Sequence, residues 1–332
     1  MHFRFFVAIL LLLGAAACES QVTEEQVIDP ASENIGSTRH QPEQMDAGNL
    51  EVEPGVEIYF ERVGDGPEVV LITGGMYLRE EFAVLADPMR TLVFLDQRGR
   101  GRSSHIVDPN LLGVEQEVSD LETVRAHFDV EKIALIGWSY EGGVAMRYAL
   151  RHSERVTRVI LIGPISPRNT PYRAQSQATL AARRDSAVVD ELGTLLEAVS
   201  AGGGPEQRRA YWHLFHKAFM FNPDIELRFR SDYYTLQNEL PDYAFPVQMA
   251  AIYSSLGDWD WRTELEGLEV PVLVVQGDYD FLPLAGAQEW VATLPNAQLR
   301  IVSQAGHLPW AENPEAVFPA IDLFLSGEVV EQ

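Results

Sequence analysis

A serine, an aspartate and a histidine stand far apart in this chain, each just beyond a short apolar run, in the order Ser139, Asp280, His307. Together these residue types perform acyl transfer. A serine hydroxyl is a weak nucleophile at neutral pH, so it needs a base within hydrogen-bond reach, and the base needs a carboxylate to fix its tautomer and stabilise its imidazolium. Ser139 lies in GWSYEGG (137–143), between an apolar run at 133–136 and a helical pattern at 144–151. A tight turn from strand to helix lifts a serine hydroxyl clear of a sheet and sets it at a helix N-terminus, which favours developing negative charge. Asp280 closes QGDYD after the run 272–275, and His307 falls in SQAGHLPW after the run 299–302. Asp278 competes for the acid role; Asp280 is preferred.

A tetrahedral intermediate also needs two backbone N–H groups aimed at its oxygen. One is expected from Tyr140, the residue after the nucleophile. The other is expected from the glycine turn TGGM (73–76), through Gly75 or Met76. Trp138 and Glu141 flank the serine and are candidates for binding substrate, although an acidic residue in a first helical turn also simply suits the helix dipole. Each triad member has an ordinary structural explanation as a turn, cap or loop residue; jointly these require three coincidences. No HExxH or comparable ligand cluster occurs among the eight histidines, so no metal is expected. His213 and His216, three apart on an expected helix, read as packing or surface residues. The chemistry needs no cofactor.

The elements that must position these residues follow from the texture of the chain. Short β-branched or apolar runs at 57–63, 69–72, 91–95, 133–136, 158–162, 272–275 and 299–302 alternate with helical stretches. That is the pattern of an α/β protein with a mostly parallel sheet covered on both faces. Such a sheet presents site residues at the carboxyl ends of its strands. Between residues 166 and 261 the strand signals stop, and helical, charge-bearing segments carry aromatics such as Tyr211, Trp212, Phe215, Phe219 and Phe221. This reads as a helical cap (166–261) inserted between two parts of the core (51–165 and 262–332), its aromatics mainly packing.

Composition limits partners and location. With 332 residues, 46% of them hydrophobic, the chain can build a sizeable core. The formal charge of −24 repels polyanions and argues against nucleic acid. Residues 1–17 hold Arg4, an apolar run at 5–13, then Gly14 and alanines, the pattern of a signal peptide. Cys18 is the only cysteine and follows the alanines directly, resembling a bacterial lipobox in which the cysteine is lipidated, although the residue three before it is Ala15 rather than leucine. An A-x-A cleavage site at Ala15 and Ala17 is the alternative. Either way the expectation is export, as a membrane-anchored lipoprotein or a periplasmic or secreted protein, without disulfides. Residues 18–50 are polar and acidic and read as a disordered tether.

After the run 91–95 comes DQRGRGRSS (96–104). With the residues above, over about 52–325, it resembles the proline iminopeptidase branch of the α/β-hydrolase superfamily. The resemblance implies an α/β-hydrolase fold with an inserted helical cap, and release of an N-terminal residue from a short peptide by Ser139, Asp280 and His307. Gly74 and Gly75 match the loop of the second oxyanion donor, and cap acidic residues such as Glu226 and Glu239 would grip a free amine. Two positions depart from the branch: its HGGPG loop is TGGMY here (73–77), and its glycine two after the nucleophile is Glu141. These leave the scissile bond open; the amide of a proline iminopeptidase-like aminopeptidase is preferred, and the ester of a carboxylesterase or lactonase is the alternative. A third reading is a catalytically silent protein of the same fold that binds a ligand. The expected substrate is a small molecule or short peptide; the oligomeric state is not legible.

Overall fold

A computed structural model describes residues 46–330. The expected signal peptide at 1–17, Cys18 and the expected tether up to residue 45 lie outside the described residues. The tether ends earlier than its composition suggests. Asp46–Glu53 forms β1, antiparallel to β2 (Val56–Val63). Its acidic, weakly apolar sequence suits a sheet edge, where charge blocks further pairing and masks the alternation that would announce a strand; Leu50 and Val52 still pack against the core.

Six more strands complete one sheet: β3 (Glu68–Thr73), β4 (Arg90–Asp96), β5 (Ile133–Trp138), β6 (Val156–Ile162), β7 (Val272–Gly277) and β8 (Ala297–Val302). The order is β1-β2-β4-β3-β5-β6-β7-β8, parallel from β4 to β8 and antiparallel at β1 and β2. All seven runs picked out in the sequence lie within these strands. Successive side chains alternate between faces. Val70, Ile72, Ile136, Ile160 and Val275 pack on one side, with α1 (Gly75–Phe82); Val69, Leu71, Leu135, Leu161 and Val274 pack on the other, with α2 (Val114–His127) and α3 (Tyr140–Arg151). Both faces are covered, which is why these strands read as unbroken apolar runs.

Between β6 and β7 the chain leaves the sheet as a helical cap. It contains α4 (Tyr172–Ala182), α5 (Ser186–Ser200), α6 (Pro205–Lys217), a π-helical stretch at Ala244–Met249 and α7 (Ala250–Leu256). An antiparallel bridge between Arg168 and Asp260 ties its two ends together. The loop 96–104 joins cap to core, and each of its three arginines meets a different carboxylate. Arg98 bonds Asp120 through Nε at 2.7 Å and Nη2 at 2.6 Å; Arg100 bonds Glu239 of the cap; Arg102 bonds Glu61 on β2 and Asp232 of the cap.

Candidate active site

Ser139 is the residue between β5 and α3, at φ 60 and ψ −124, a conformation that side-chain-bearing residues rarely adopt. Neighbouring backbone holds it there. Its N–H donates to the Ile162 carbonyl (2.9 Å), and its own carbonyl accepts from Ile165 N–H (3.1 Å) and Gly142 N–H (3.2 Å). The crossing of strand and helix is tight enough that a Cβ on Gly137 would lie 2.6 Å from the Glu141 carbonyl oxygen. That explains the glycine before Trp138 and Ser139.

His307 follows β8 and is buried, with its side chain 2% exposed. Its Nδ1 lies 3.0 and 2.9 Å from the two carboxylate oxygens of Asp280, whose side chain is fully buried just beyond β7. Asp280 also accepts from Leu282 N–H (2.9 Å). Asp278 points elsewhere: it accepts from Ser303 Oγ (3.1 Å) and Ala305 N–H (3.3 Å), so it braces the loop that carries His307. The His307 backbone is clamped on both sides, its N–H donating to the Phe219 carbonyl (2.7 Å) and its carbonyl accepting from Trp138 Nε1 (2.9 Å). A residue that sequence reading missed stands under this pair. Gly163, just past β6 at φ 47, is where a Cβ would meet Asp280 Oδ2 at 2.8 Å and His307 Nδ1 at 3.0 Å, so only glycine leaves room for the acid and the imidazole to meet. Its position directly after an apolar strand was the available signal.

Ser139 and His307 open on one cavity of about 680 Å³ between core and cap, with Trp138, Tyr140 and Glu141 also in its wall. Gly75 and Met76 are buried as the first residues of α1 and do not line it, whereas Tyr77 does. As first-turn residues, Gly75 and Met76 have N–H groups with no intrahelical acceptor. The preceding Gly74 N–H donates to Gln97 Oε1 (3.0 Å), which ties this turn to the loop 96–104. Trp138 is chiefly a support for His307, through its hydrogen bond and a ring contact at 5.2 Å.

Glu141 is not the solvated carboxylate that a first helical turn usually carries. It is 1% exposed and packs against Gly74; burial raises its carboxyl to about 8, against the opposing pull of Arg100 and Gln97. His216 is also buried, its Nδ1 2.7 Å from the Trp212 carbonyl, and burial lowers it to about 3, so it is a neutral wall residue of the cavity. His213 is exposed. Of the two cap acids considered for an amine site, Glu226 is exposed and Glu239 is taken up by Arg100, and neither lines the cavity. Tyr211, Trp212, Phe215 and Phe219 pack as expected, though Tyr211, Phe215 and Phe219 also form cavity wall; Phe221 stays outside the core and is exposed. Among the described residues no group of His, Cys, Asp or Glu could hold a metal ion.

A doubly covered parallel sheet, a strained serine after β5 and an Asp–His pair after β7 and β8 define a class that comparison with known proteins names. The family model described as "alpha/beta hydrolase fold" matches residues 71–314, and the chain belongs to that family. A proline iminopeptidase of Saccharolobus solfataricus is 25% identical over 82% of this chain and 89% of the relative. A pimeloyl-[acyl-carrier protein] methyl ester esterase of Aromatoleum aromaticum is 30% identical over 54% of this chain and 68% of the relative. Among solved structures, a serine hydrolase from Cycloclasticus zankles superposes with a TM-score of 0.63 at 19% identity, over 86% of this chain and 99% of that one. The relatives thus span peptidase and esterase, and the family alone does not choose between them.

Proposed function

We propose that the protein is a serine hydrolase acting through an acyl-enzyme, with Ser139 as nucleophile, His307 as base and then acid, and Asp280 as the carboxylate that orients the imidazole. One observation carries this reading: a serine held at φ 60 shares a cavity with a buried histidine whose Nδ1 lies 2.9 Å from a carboxylate. With Nδ1 engaged, Nε2 is the nitrogen left to take a proton. Ser139 Oγ bonds to the substrate carbonyl carbon as its proton passes to His307 Nε2. That proton then goes to the leaving group as the old bond breaks, and water repeats the sequence to free the acid. The N–H groups of Tyr140 and of Gly75 or Met76 are the proposed donors to the oxyanion.

The cavity supports an ester with an apolar acyl group over a free-amine peptide. Most of its wall is apolar or aromatic, and of the two cap acids considered for an amine site Glu226 is exposed and Glu239 is paired with Arg100. The aminopeptidase reading keeps two supports, the carboxyls of Glu141 beside the nucleophile and of Asp242 in the cap, both in the cavity wall. Fluorophosphonate labelling of wild type and Ser139→Ala, with hydrolysis of prolyl and alanyl arylamides against short-chain esters, tests both. Labelling lost in Ser139→Ala, with ester turnover, is the expected result. Turnover of arylamides that requires a free amine would turn the assignment to an aminopeptidase, and absence of labelling would turn it to a silent binding protein. Export with lipidation at Cys18 belongs to the same proposal.

A further inference from the structure

Among the described residues, two of the four arginines on the cavity, Arg173 and Arg184, have no carboxylate within 4.0 Å, and of these only Arg184 has a buried nitrogen without a hydrogen-bond partner. Arg184 follows the C-terminal end of α4 and lines the same cavity as Ser139 and His307. Its guanidinium lies over the Phe215 ring at 4.7 Å and near the Phe219 ring at 6.0 Å, and Nη2 donates to the Phe215 carbonyl (3.3 Å). Its Nε is buried without a hydrogen-bond partner, and no carboxylate among the described residues lies within 4.0 Å of it. Of the other arginines on the cavity, Arg100 and Arg168 bond Glu239 and Glu289, and Arg173 lies over the Tyr253 ring at 4.7 Å without a buried orphan nitrogen. Scarcity of acid is not the reason, since the chain has 49 acidic residues to 25 basic.

A guanidinium stays charged at any physiological pH, and a desolvated charge without a partner is costly unless something supplies the opposite charge. Burial holds the Arg184 pKa below the usual arginine range, as that cost requires. Tyr211 stands close by. Its ring stacks on Phe215 at 6.0 Å, and its hydroxyl, raised to about 12 by burial against the opposing Arg184 charge, remains a donor. Phe219 connects this corner to the catalytic histidine, with 5.7 Å between the Phe219 and His307 rings. The open Nε edge of a planar guanidinium suits a carboxylate, which it can meet with two parallel hydrogen bonds.

We propose that Arg184, with the Tyr211 hydroxyl, is the receptor for a carboxylate carried by the substrate, so that the substrates are monoesters of dicarboxylic acids rather than compounds with a free amine. This rests on the serine-hydrolase reading for the reaction, but the receptor can be tested without turnover. In the Ser139→Ala protein, monomethyl adipate should bind by calorimetry at least about tenfold more tightly than methyl hexanoate, because a buried charge pair is strong. Adding Arg184→Gln should abolish that difference, and Arg184→Lys, which keeps the charge but loses the planar fork, should restore part of it. In the wild type, monomethyl esters of C4 to C7 diacids should exceed methyl esters of the matching monoacids in kcat/KM by a similar factor at one chain length or more. Equal binding of the charged and neutral esters, or a preference that survives Arg184→Gln in a protein that melts like its parent, would overturn the receptor. Binding preference without hydrolysis of either series would leave the receptor standing and remove the serine-hydrolase reading.

Discussion

The Glu239 carboxylate of the cap grips the Arg100 guanidinium of the core loop with both oxygens, from Nε at 3.1 Å and Nη2 at 3.1 Å, and takes the Gly101 N–H at 2.8 Å as well. Both side chains are almost fully buried, 4% and 0% exposed. A pair of this kind couples cap and core because neither charge can be left alone in the interior.

Replacing Glu239 by Ala should therefore cost about 3–5 kcal/mol, the usual consequence of stranding one buried charge. For a chain of this size that corresponds to a fall in Tm of roughly 10 °C, read by calorimetry. A change of a degree or two would mean that water reaches Arg100.

Asp280→Asn should lower kcat on any ester substrate by about 10⁴-fold, since an amide cannot hold the imidazole in the required tautomer. Asp278→Asn should leave kcat within about tenfold, its partners being Ser303 and Ala305 rather than His307. The reverse ranking in steady-state kinetics would exchange the two assignments.

Glu141 should make stability depend on pH in a direction opposite to that of most acids. Its carboxyl is raised by burial to about 8 in the fold, from an ordinary value of 4.5, so between those values the folded state binds the extra proton. Stability then falls as pH rises through this window. Between pH 7.5 and 8.5, where His216 is almost wholly neutral in both states and Asp96, raised to about 6, is titrated, urea midpoints should fall in wild type and fall less in Glu141→Gln. Buried Glu117, raised well above its ordinary value, keeps a residual slope in both proteins. Parallel slopes would show that Glu141 is ionised in the fold.

Cys18→Ser should move the protein from the membrane to the soluble fraction of an expressing bacterial cell and abolish incorporation of labelled palmitate. Unchanged fractionation would assign the leader to ordinary cleavage after Ala17.

What the sequence determined by itself is the sheet and the candidate site residues. Seven runs marked seven of the eight strands, the central ones most plainly because both faces of the sheet are covered there. Ser139, Asp280 and His307 were legible because each lies within five residues beyond such a run. β1 escaped because an edge strand is half solvated and carries Glu51 and Glu53, so its alternation is weak. Tertiary structure alone decided the rest. It chose Asp280 over Asp278, two residues apart on one loop, by which carboxylate reaches His307. It showed that Gly163 must be glycine, because the atoms it would strike come from residues 117 and 144 positions further along the chain. It buried Glu141 and paired Glu239, and it left Arg184 unpaired in the cavity wall. The state of a charged side chain depends on which distant groups and how much water surround it, and local spacing carries no record of either.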